Sequence, residues 1–172
     1  LGYMSKEGLL YVKGRFKSLL ISSDGEKYSP EGIEEALVEK SPYIDQVMLY
    51  NNQSNYTTAV VVPNRDQLTR TLKAQNLDLT TEDGRKAALK VLDGELNKFK
   101  KGGEFEGMFP ERWLPSCFAV LAEPFTEQNQ MINSTMKMVR GKIEKAYADR
   151  IKYMYTSEGK QLLNQQNIDA LK

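Results

Sequence analysis

Short runs of β-forming apolar residues alternate along this chain with longer segments whose apolar residues recur at helical spacing. Residues 9–12 and 18–21 flank a polar stretch that contains a glycine, so they predict a β-hairpin. Residues 47–50 and 57–62 predict a second hairpin, and residues 117–121 predict a further strand. The order of hairpin, helix, hairpin, helices, strand and helix is typical of a small α+β domain.

The predicted helices have recognisable starting residues. Ser29 is a candidate N-cap for the first helix, and Pro30 suits the first helical position. The other helices are predicted over about 66–75, from Thr80 or Thr81 to about residue 100, and from about 137 to 153. We therefore expect a small sheet of two hairpins plus a further strand, covered mainly on one side by helices.

The chain has 172 residues, which fits one domain with a helical extension. Residues 1–155 are predicted to form the domain, and residues 156–172 a helical or frayed tail. Because the sequence begins without a methionine and in mid-motif, we interpret it as part of a longer chain.

The composition excludes several kinds of chemistry. Histidine is absent and there is one cysteine, so no Ser-His or Cys-His pair, no Cys/His zinc cluster and no internal disulfide can form. Cys117 lies in an apolar run and is predicted to be buried. The net charge of +1 argues against nucleic-acid binding, and no apolar stretch approaches the ~18 residues of a transmembrane segment. A reducing, cytoplasmic location is expected.

Two motifs resemble those of the AMP-forming acyl-CoA synthetases, most closely the long-chain fatty-acid–CoA ligases. The first motif resembles the family's hinge and hairpin, and its matching positions are Gly14-Arg15, Lys17, Gly25, Ser29-Pro30 and Ile33-Glu34. The second is Thr135-Met136-Lys137-Met138-Val139-Arg140, which is similar to the loop that carries the family's catalytic lysine. It departs from the long-chain pattern at three positions, where Gln130 replaces glycine, Asn133 threonine and Ser134 proline.

The resemblance implies the mobile C-terminal lid domain of a two-step ligase. In that family a carboxylate and ATP form an acyl-adenylate, and the CoA thiol then displaces AMP. The implied cofactors are ATP, CoA and Mg²⁺, with the Mg²⁺ ligands outside this chain. The implied partner is the chain's own large N-terminal adenylation domain, which is absent here, so the isolated 172-residue chain is expected to be inactive. Peripheral membrane contact is compatible with this class.

The same resemblance implies roles for individual residues. Lys137 is the expected catalytic lysine, because a fixed ammonium group can stabilise charge on the carboxylate and the α-phosphate as they meet. The nucleotide-binding and hinge positions fall on Arg15 and Lys17, respectively. The CoA-facing turn is expected at Ser23, Gly25 and Glu26. Arg140, Lys142 and Lys145 are interpreted as a solvated helix face.

Two alternatives remain open from the sequence. The chain could be a non-catalytic interaction module that keeps the fold without the chemistry. It could also belong to an adenylating enzyme that loads a carrier protein rather than CoA, because the hinge motif does not separate these acceptors.

Overall fold

The computed structural model describes residues 2–12 and 18–172. Its strands are β1 (Gly2–Met4), β2 (Leu10–Val12), β3 (Leu20–Ser22), β4 (Lys27–Tyr28), β5 (Ile44–Tyr50), β6 (Asn52–Ser54), β7 (Thr57–Pro63) and β8 (Pro115–Val120). Its helices are α1 (Glu31–Lys40), α2 (Arg65–Lys73), α3 (Glu82–Asn97), α4 (Arg140–Ala146), α5 (Ala148–Tyr153) and α6 (Gln165–Ala170), with a 3₁₀ turn at Glu111–Trp113. The α+β class predicted from the sequence is therefore confirmed.

The first predicted hairpin is wrong in its pairing. Strand β2 pairs antiparallel with β1, and β3 pairs antiparallel with β4. Residues 9–12 and 18–21 therefore pair with strands closer to them in the sequence, and not with each other. The reason lies in the turns: Gly8 and Gly25 adopt φ of 81° and 86°, a left-handed conformation that glycine adopts without strain. Each glycine closes a tight local turn between its two flanking strands.

The second predicted hairpin is confirmed and forms the central sheet. Strand β5 pairs antiparallel with β7, with Val47 opposite Val61. Strand β8 adds to the other edge of β7 in parallel, with Phe118 opposite Ala59. A parallel neighbour requires a crossover connection, and the segment containing α2 and α3 supplies it. Between β5 and β7, strand β6 pairs in parallel with β3 and so joins the small β4–β3–β6 sheet.

Helices cover both faces of the central sheet, which corrects the expectation of cover mainly on one side. Strand β7 is buried along its whole length, and its successive side chains point into two different cores. Ala59 and Val61 belong to the first core, which includes side chains of α1, α2, α3 and α6. Val60 and Val62 belong to the second core, which includes Ile143 of α4 and Ile151 of α5.

Of the two N-cap residues predicted from the sequence, one is confirmed and the other is displaced by one position. Helix α1 begins at Glu31 with Pro30 as its N-cap and without a side-chain capping bond, so the assignment of Ser29 as the cap is wrong by one residue. Thr81 caps α3 as expected, because its hydroxyl accepts a hydrogen bond from the Gly84 N–H at 3.1 Å.

The long helix predicted over residues 137–153 is two helices. It begins only at Arg140 and is interrupted at Tyr147, whose φ and ψ of −112° and 23° lie outside the helical region. The break lets α4 and α5 pack against the sheet at two positions, with Ile143 and Ile151 both buried in the second core. Lys137 therefore lies in a loop that precedes a helix.

Residues 156–172, predicted as a helical or frayed tail, contain α6 and pack against the sheet. Ile168 and Leu171 are buried in the first core. The Asn167 side chain accepts a hydrogen bond from the Val120 N–H at 3.0 Å and donates one to the Phe118 carbonyl at 3.1 Å. These bonds satisfy backbone groups on the outer edge of β8, so this segment protects an edge that would otherwise be open to another strand.

Candidate functional site

Lys137 lies on an exposed loop, residues 132–138, that folds back on itself. Ile132 and Met138 form an antiparallel bridge at its base. The Asn133 N–H donates to the Lys137 carbonyl at 2.9 Å, and the Asn133 side-chain oxygen accepts from the Lys137 N–H at 3.0 Å. The backbone of Lys137 is therefore fixed, while the Lys137 side chain is exposed. Among residues 18–172, no carboxylate forms an ion pair with its ammonium group.

Two residues around this loop hold an unfavourable backbone conformation. Gln130 and Met136 adopt φ of 62° and 61°, which costs a residue with a Cβ about 1–2 kcal/mol. Gln130, for which the motif resemblance predicts glycine, accepts a hydrogen bond through its side-chain oxygen from the Lys142 ammonium group. Asn133 supports the other position by accepting from the Thr135 N–H at 3.0 Å. Strain maintained by neighbouring contacts is typical of functional loops.

Arg140 is not on a solvated helix face, so that interpretation is wrong. Its side chain is 15% exposed and forms an ion pair with Glu34 of α1, whose side chain is 5% exposed. Both partners also bind the backbone of Leu49 in β5: the Leu49 N–H donates to Glu34 Oε1 at 2.7 Å, and Arg140 Nη1 donates to the Leu49 carbonyl at 3.3 Å. Lys142 and Lys145 are exposed, as expected.

Burial and pairing act on Glu34 in opposite directions. Burial in the protein interior raises the pKa of the Glu34 carboxyl above its ordinary value, while the hydrogen bond and charge of Arg140 lower it. Burial is the larger effect. Arg140 therefore compensates only part of the cost of burying this carboxylate.

The turn predicted to face CoA is exposed and tightly bonded. The Gly25 N–H donates to the Ser22 carbonyl, and the Ser22 N–H to the Glu26 carbonyl, both at 3.0 Å. The Asp24 carboxylate accepts from the Ser22 hydroxyl, which lowers the pKa of Asp24. A Cβ placed on Gly25 would meet no atom within 4 Å. Glycine is thus required here by its positive φ, and the surface beside it is open.

Glu26 has a partner that the sequence did not reveal. Arg112 donates to both carboxylate oxygens of Glu26 at 2.6 Å, and this pairing lowers the pKa of Glu26. The guanidinium carbon of Arg112 also lies 5.7 Å from the Trp113 ring centroid, and Trp113 stacks on Tyr28 at 5.3 Å. The predicted CoA-facing turn is therefore joined to the 3₁₀ turn at Glu111–Trp113.

The turn and the lysine loop are attached to the same short stretch of backbone. Arg140, three residues after Lys137, binds the Leu49 carbonyl. Two residues further on, the Asn51 carbonyl accepts a hydrogen bond from Ile21 N–H in β3, at 3.3 Å, next to the turn. Residues 49–51 thus connect the supports of the two predicted functional elements.

The predicted nucleotide-binding Arg15 and hinge Lys17 lie outside the described residues. Within residues 2–12 and 18–172, no group of three His, Cys, Asp or Glu side chains is arranged to hold a metal ion. Over the same ranges, no helix combines the length and apolarity needed to cross a bilayer.

Comparison with known proteins identifies the kind of domain. Residues 17–83 match the family described as the AMP-binding enzyme C-terminal domain. The chain is 26% identical to the probable acyl-activating enzyme 16, chloroplastic, of Arabidopsis thaliana, over 86% of this chain. It is also 26% identical to fatty acyl-CoA synthetase B of Dictyostelium discoideum, over 91% of this chain. The chain spans about a fifth of the length of these relatives, 20% and 23% respectively.

A solved structure shares the architecture. The A-PCP didomain of carboxylic acid reductase from Segniliparus rugosus, in complex with AMP, matches with a TM-score of 0.65 at 25% identity, over 92% of this chain and 20% of that one. Residues 17–83 are therefore similar to the C-terminal domain of AMP-binding enzymes, and the chain shares its fold with part of an adenylate-forming enzyme. The relatives that it resembles are named as a fatty acyl-CoA synthetase and a probable acyl-activating enzyme.

Proposed function

We propose that this chain is the mobile C-terminal domain of a fatty-acid–CoA ligase and that Lys137 supplies the ammonium group for acyl-adenylate formation. The observation that carries the proposal is the geometry of its loop. The Lys137 backbone is held by two hydrogen bonds to Asn133, at 2.9 and 3.0 Å, while the side chain is exposed and able to reach outside this domain.

The first half-reaction joins two anions. A carboxylate oxygen attacks the α-phosphorus of ATP, an acyl–phosphate bond forms, and the bond to the β-phosphate breaks to release pyrophosphate. The approaching groups repel each other, and negative charge builds on the α-phosphate oxygens. An ammonium group fixed near both lowers this barrier electrostatically and by positioning. Lysine suits the task because it is a compact charge on a flexible stem.

The second half-reaction uses another surface of the same domain. The CoA thiol attacks the acyl carbonyl, the thioester forms and AMP leaves. We assign the CoA-facing surface to Ser23, Gly25 and Glu26, where an exposed turn with no side chain at Gly25 permits close backbone approach. The rotation between the two states is assigned to Lys17, and contact with the nucleotide to Arg15. Mg²⁺ and most of the ATP and acyl sites belong to the N-terminal domain.

Substitution of Lys137 by alanine in the full-length enzyme tests the proposal. Lys137→Ala should lower pyrophosphate release from ATP and fatty acid by about 100-fold or more, the usual effect of removing one group that stabilises transition-state charge. The same variant, supplied with preformed acyl-adenylate, should make acyl-CoA at a rate within about threefold of the parent. Lys145→Ala, which removes an exposed lysine from α4, is the matched control and should alter neither rate.

An equal loss of both half-reactions in Lys137→Ala would refute the assigned role. Wild-type rates in both would favour the non-catalytic interaction module. The acceptor is tested separately, because the solved didomain shows that the same architecture occurs next to a PCP domain. Pyrophosphate release measured with CoA and with a carrier protein should be stimulated by CoA. A cytoplasmic location also remains a prediction, which cell fractionation of the full-length protein would test.

A further inference from the structure

We propose that the buried Glu34–Arg140 ion pair is a positioning device for the adenylation step, which holds Lys137 at its working place on the domain surface. This inference rests on the proposed function of Lys137. It assigns to two residues, 106 positions apart, a role in one half-reaction rather than in folding alone.

The path from the pair to the lysine is short and stiff. Arg140 is the first residue of α4, and Lys137 lies three residues before it. The intervening Val139 N–H donates to the Met131 carbonyl at 2.8 Å, and Met138 is bridged to Ile132. A displacement of Arg140 must therefore move the returning leg of the loop, and Lys137 with it.

The pair is built to resist such a displacement. Glu34 and Arg140 bind each other and also grip the N–H and carbonyl of Leu49, at 2.7 and 3.3 Å, so α1, β5 and α4 meet at one point. The Leu49 side chain is fully buried, which fixes the backbone that both groups hold. A guanidinium can make these contacts together because its donors are arranged in a rigid fork, whereas a lysine ammonium cannot.

The other leg of the loop has separate supports, so the ion pair anchors the leg that leads to α4. The other leg is held by the Thr126 carbonyl, which accepts from the Met131 and Ile132 N–H groups at 3.1 and 3.2 Å. The hydrogen bond between Lys142 and Gln130 is exposed. Since Met136 holds an unfavourable φ of 61° next to Lys137, the loop needs a firm base to keep that conformation.

The test uses mild substitutions in the full-length enzyme. Glu34→Gln keeps an oxygen for the Leu49 N–H but removes the negative charge. Arg140→Lys keeps the positive charge but removes the guanidinium donors that bind Glu34 and Leu49 together. Each should lower adenylation by about tenfold to 100-fold, the range expected when a reacting group is displaced by about 1 Å. Thioester formation from preformed acyl-adenylate should change by less than about threefold. The double variant should be no slower than the slower single variant, because either change breaks the same pair.

The most specific test of positioning measures the effect of Arg140→Lys in the Lys137→Ala variant. Without the lysine there is nothing left to position, so adding Arg140→Lys should leave the residual adenylation rate unchanged. Arg150→Lys is the control, because Arg150 is also largely covered and binds the Val120 carbonyl at 2.9 Å, but it supports α5 and not the loop. It should leave the ratio of the two half-reaction rates unaltered.

Four results would overturn the inference. They are parallel loss of both half-reactions in Glu34→Gln, an unchanged adenylation rate in Arg140→Lys, the same selective loss in Arg150→Lys, and a full additional loss from Arg140→Lys in the Lys137→Ala background. If Lys137→Ala itself leaves adenylation intact, the proposed function fails and this inference fails with it. If Lys137→Ala abolishes adenylation while the pair variants do not affect it, only the positioning role is wrong.

Discussion

At the scale of single residues, Cys117 shows how burial suppresses reactivity. Its side chain lies in the second core, and this burial raises the pKa of its thiol to about 11. The thiolate is the form that reacts with electrophiles, so a thiol with this pKa is almost entirely unreactive near neutral pH. As expected from its apolar neighbours in the sequence, Cys117 is a structural residue.

A thiol-reactivity measurement tests this assignment. At pH 8, Cys117 in the folded 172-residue chain should react with a disulfide reagent at least about 100-fold more slowly than in the urea-unfolded chain. The absorbance of the released thiolate reports the rate, and because the chain has one cysteine the signal has a single source. Similar rates in the folded and unfolded chains would show that the second core does not protect this residue.

The position of Lys137 could be predicted from the sequence, whereas the Glu34–Arg140 pair could not. Lys137 lies in a contiguous motif, so its exposed position before a helix could be predicted locally. Arg140 belongs to the same motif, but its partner is 106 residues away, and nothing in the motif identifies it. Glu34 does carry a signal: it lies next to Ile33 and three residues before Leu37, on the apolar side of α1.

At the scale of elements, the Glu34–Arg140 contact joins α1 to α4. The folded-state pKa of Glu34 is raised, so its protonated form is favoured in the folded protein. For a carboxyl group with a raised folded pKa, stability is greatest below the unfolded pKa and falls as pH rises through the folded pKa. Removal of Arg140 should raise the Glu34 pKa further and extend this loss towards neutral pH.

Arg140→Met should therefore destabilise the protein in a pH-dependent way. At pH 8 the buried carboxylate has no charged partner and keeps only the Leu49 N–H, and the expected loss is about 3–5 kcal/mol. At pH 5 the carboxyl can bind a proton, so the loss should be smaller. Urea denaturation of the parent and the variant at both pH values measures the difference, which removes contributions common to both proteins, including the repulsion from Glu31.

The matched control is Glu34→Gln combined with Arg140→Met. It has no ionisable group at position 34, so its stability relative to the parent should not repeat the steep loss of Arg140→Met between pH 5 and pH 8. If Arg140→Met lost the same free energy at both pH values, the charge of Glu34 would not be the cause of the loss.

Elements with local signals were predicted well, and those set by distant partners were not. Alternating and apolar runs located β5, β7 and β8, and Thr81 marked the start of α3. The antiparallel partner of residues 18–21 is the strand beyond the Gly25 turn, and the apolar spacing across residues 137–153 gave no sign of the break at Tyr147. The Glu26–Arg112 pair spans 86 residues and left no local trace.

At the scale of the whole molecule, the two hydrophobic cores support different parts of the structure. The first core joins α1, α2, α3 and α6 to one face of the sheet and forms the body of the domain. The second core lies on the other face, and the base of the Lys137 loop packs on it through Met131, Ile132 and Met138. The base of the loop is thus packed against the second core, as the proposed function requires of a domain that moves as one body and presents Lys137.

Chemical rescue of the ammonium group tests whether Lys137 supplies the charge for acyl-adenylate formation. Lys137→Cys in the full-length enzyme should lose adenylation, and reaction of the new thiol with bromoethylamine restores a side chain of nearly lysine length that ends in an amine. Cys117, buried and with a raised thiol pKa, should not react under the same conditions. Parent enzyme treated identically and Lys145→Cys serve as controls.

Pyrophosphate release by Lys137→Cys should be low before treatment and recover to at least about a tenth of the parent rate afterwards, while both controls remain unchanged. A Lys137→Cys enzyme that forms acyl-adenylate at the parent rate before treatment, or one that stays inactive after complete aminoethylation at position 137, would contradict this role of Lys137.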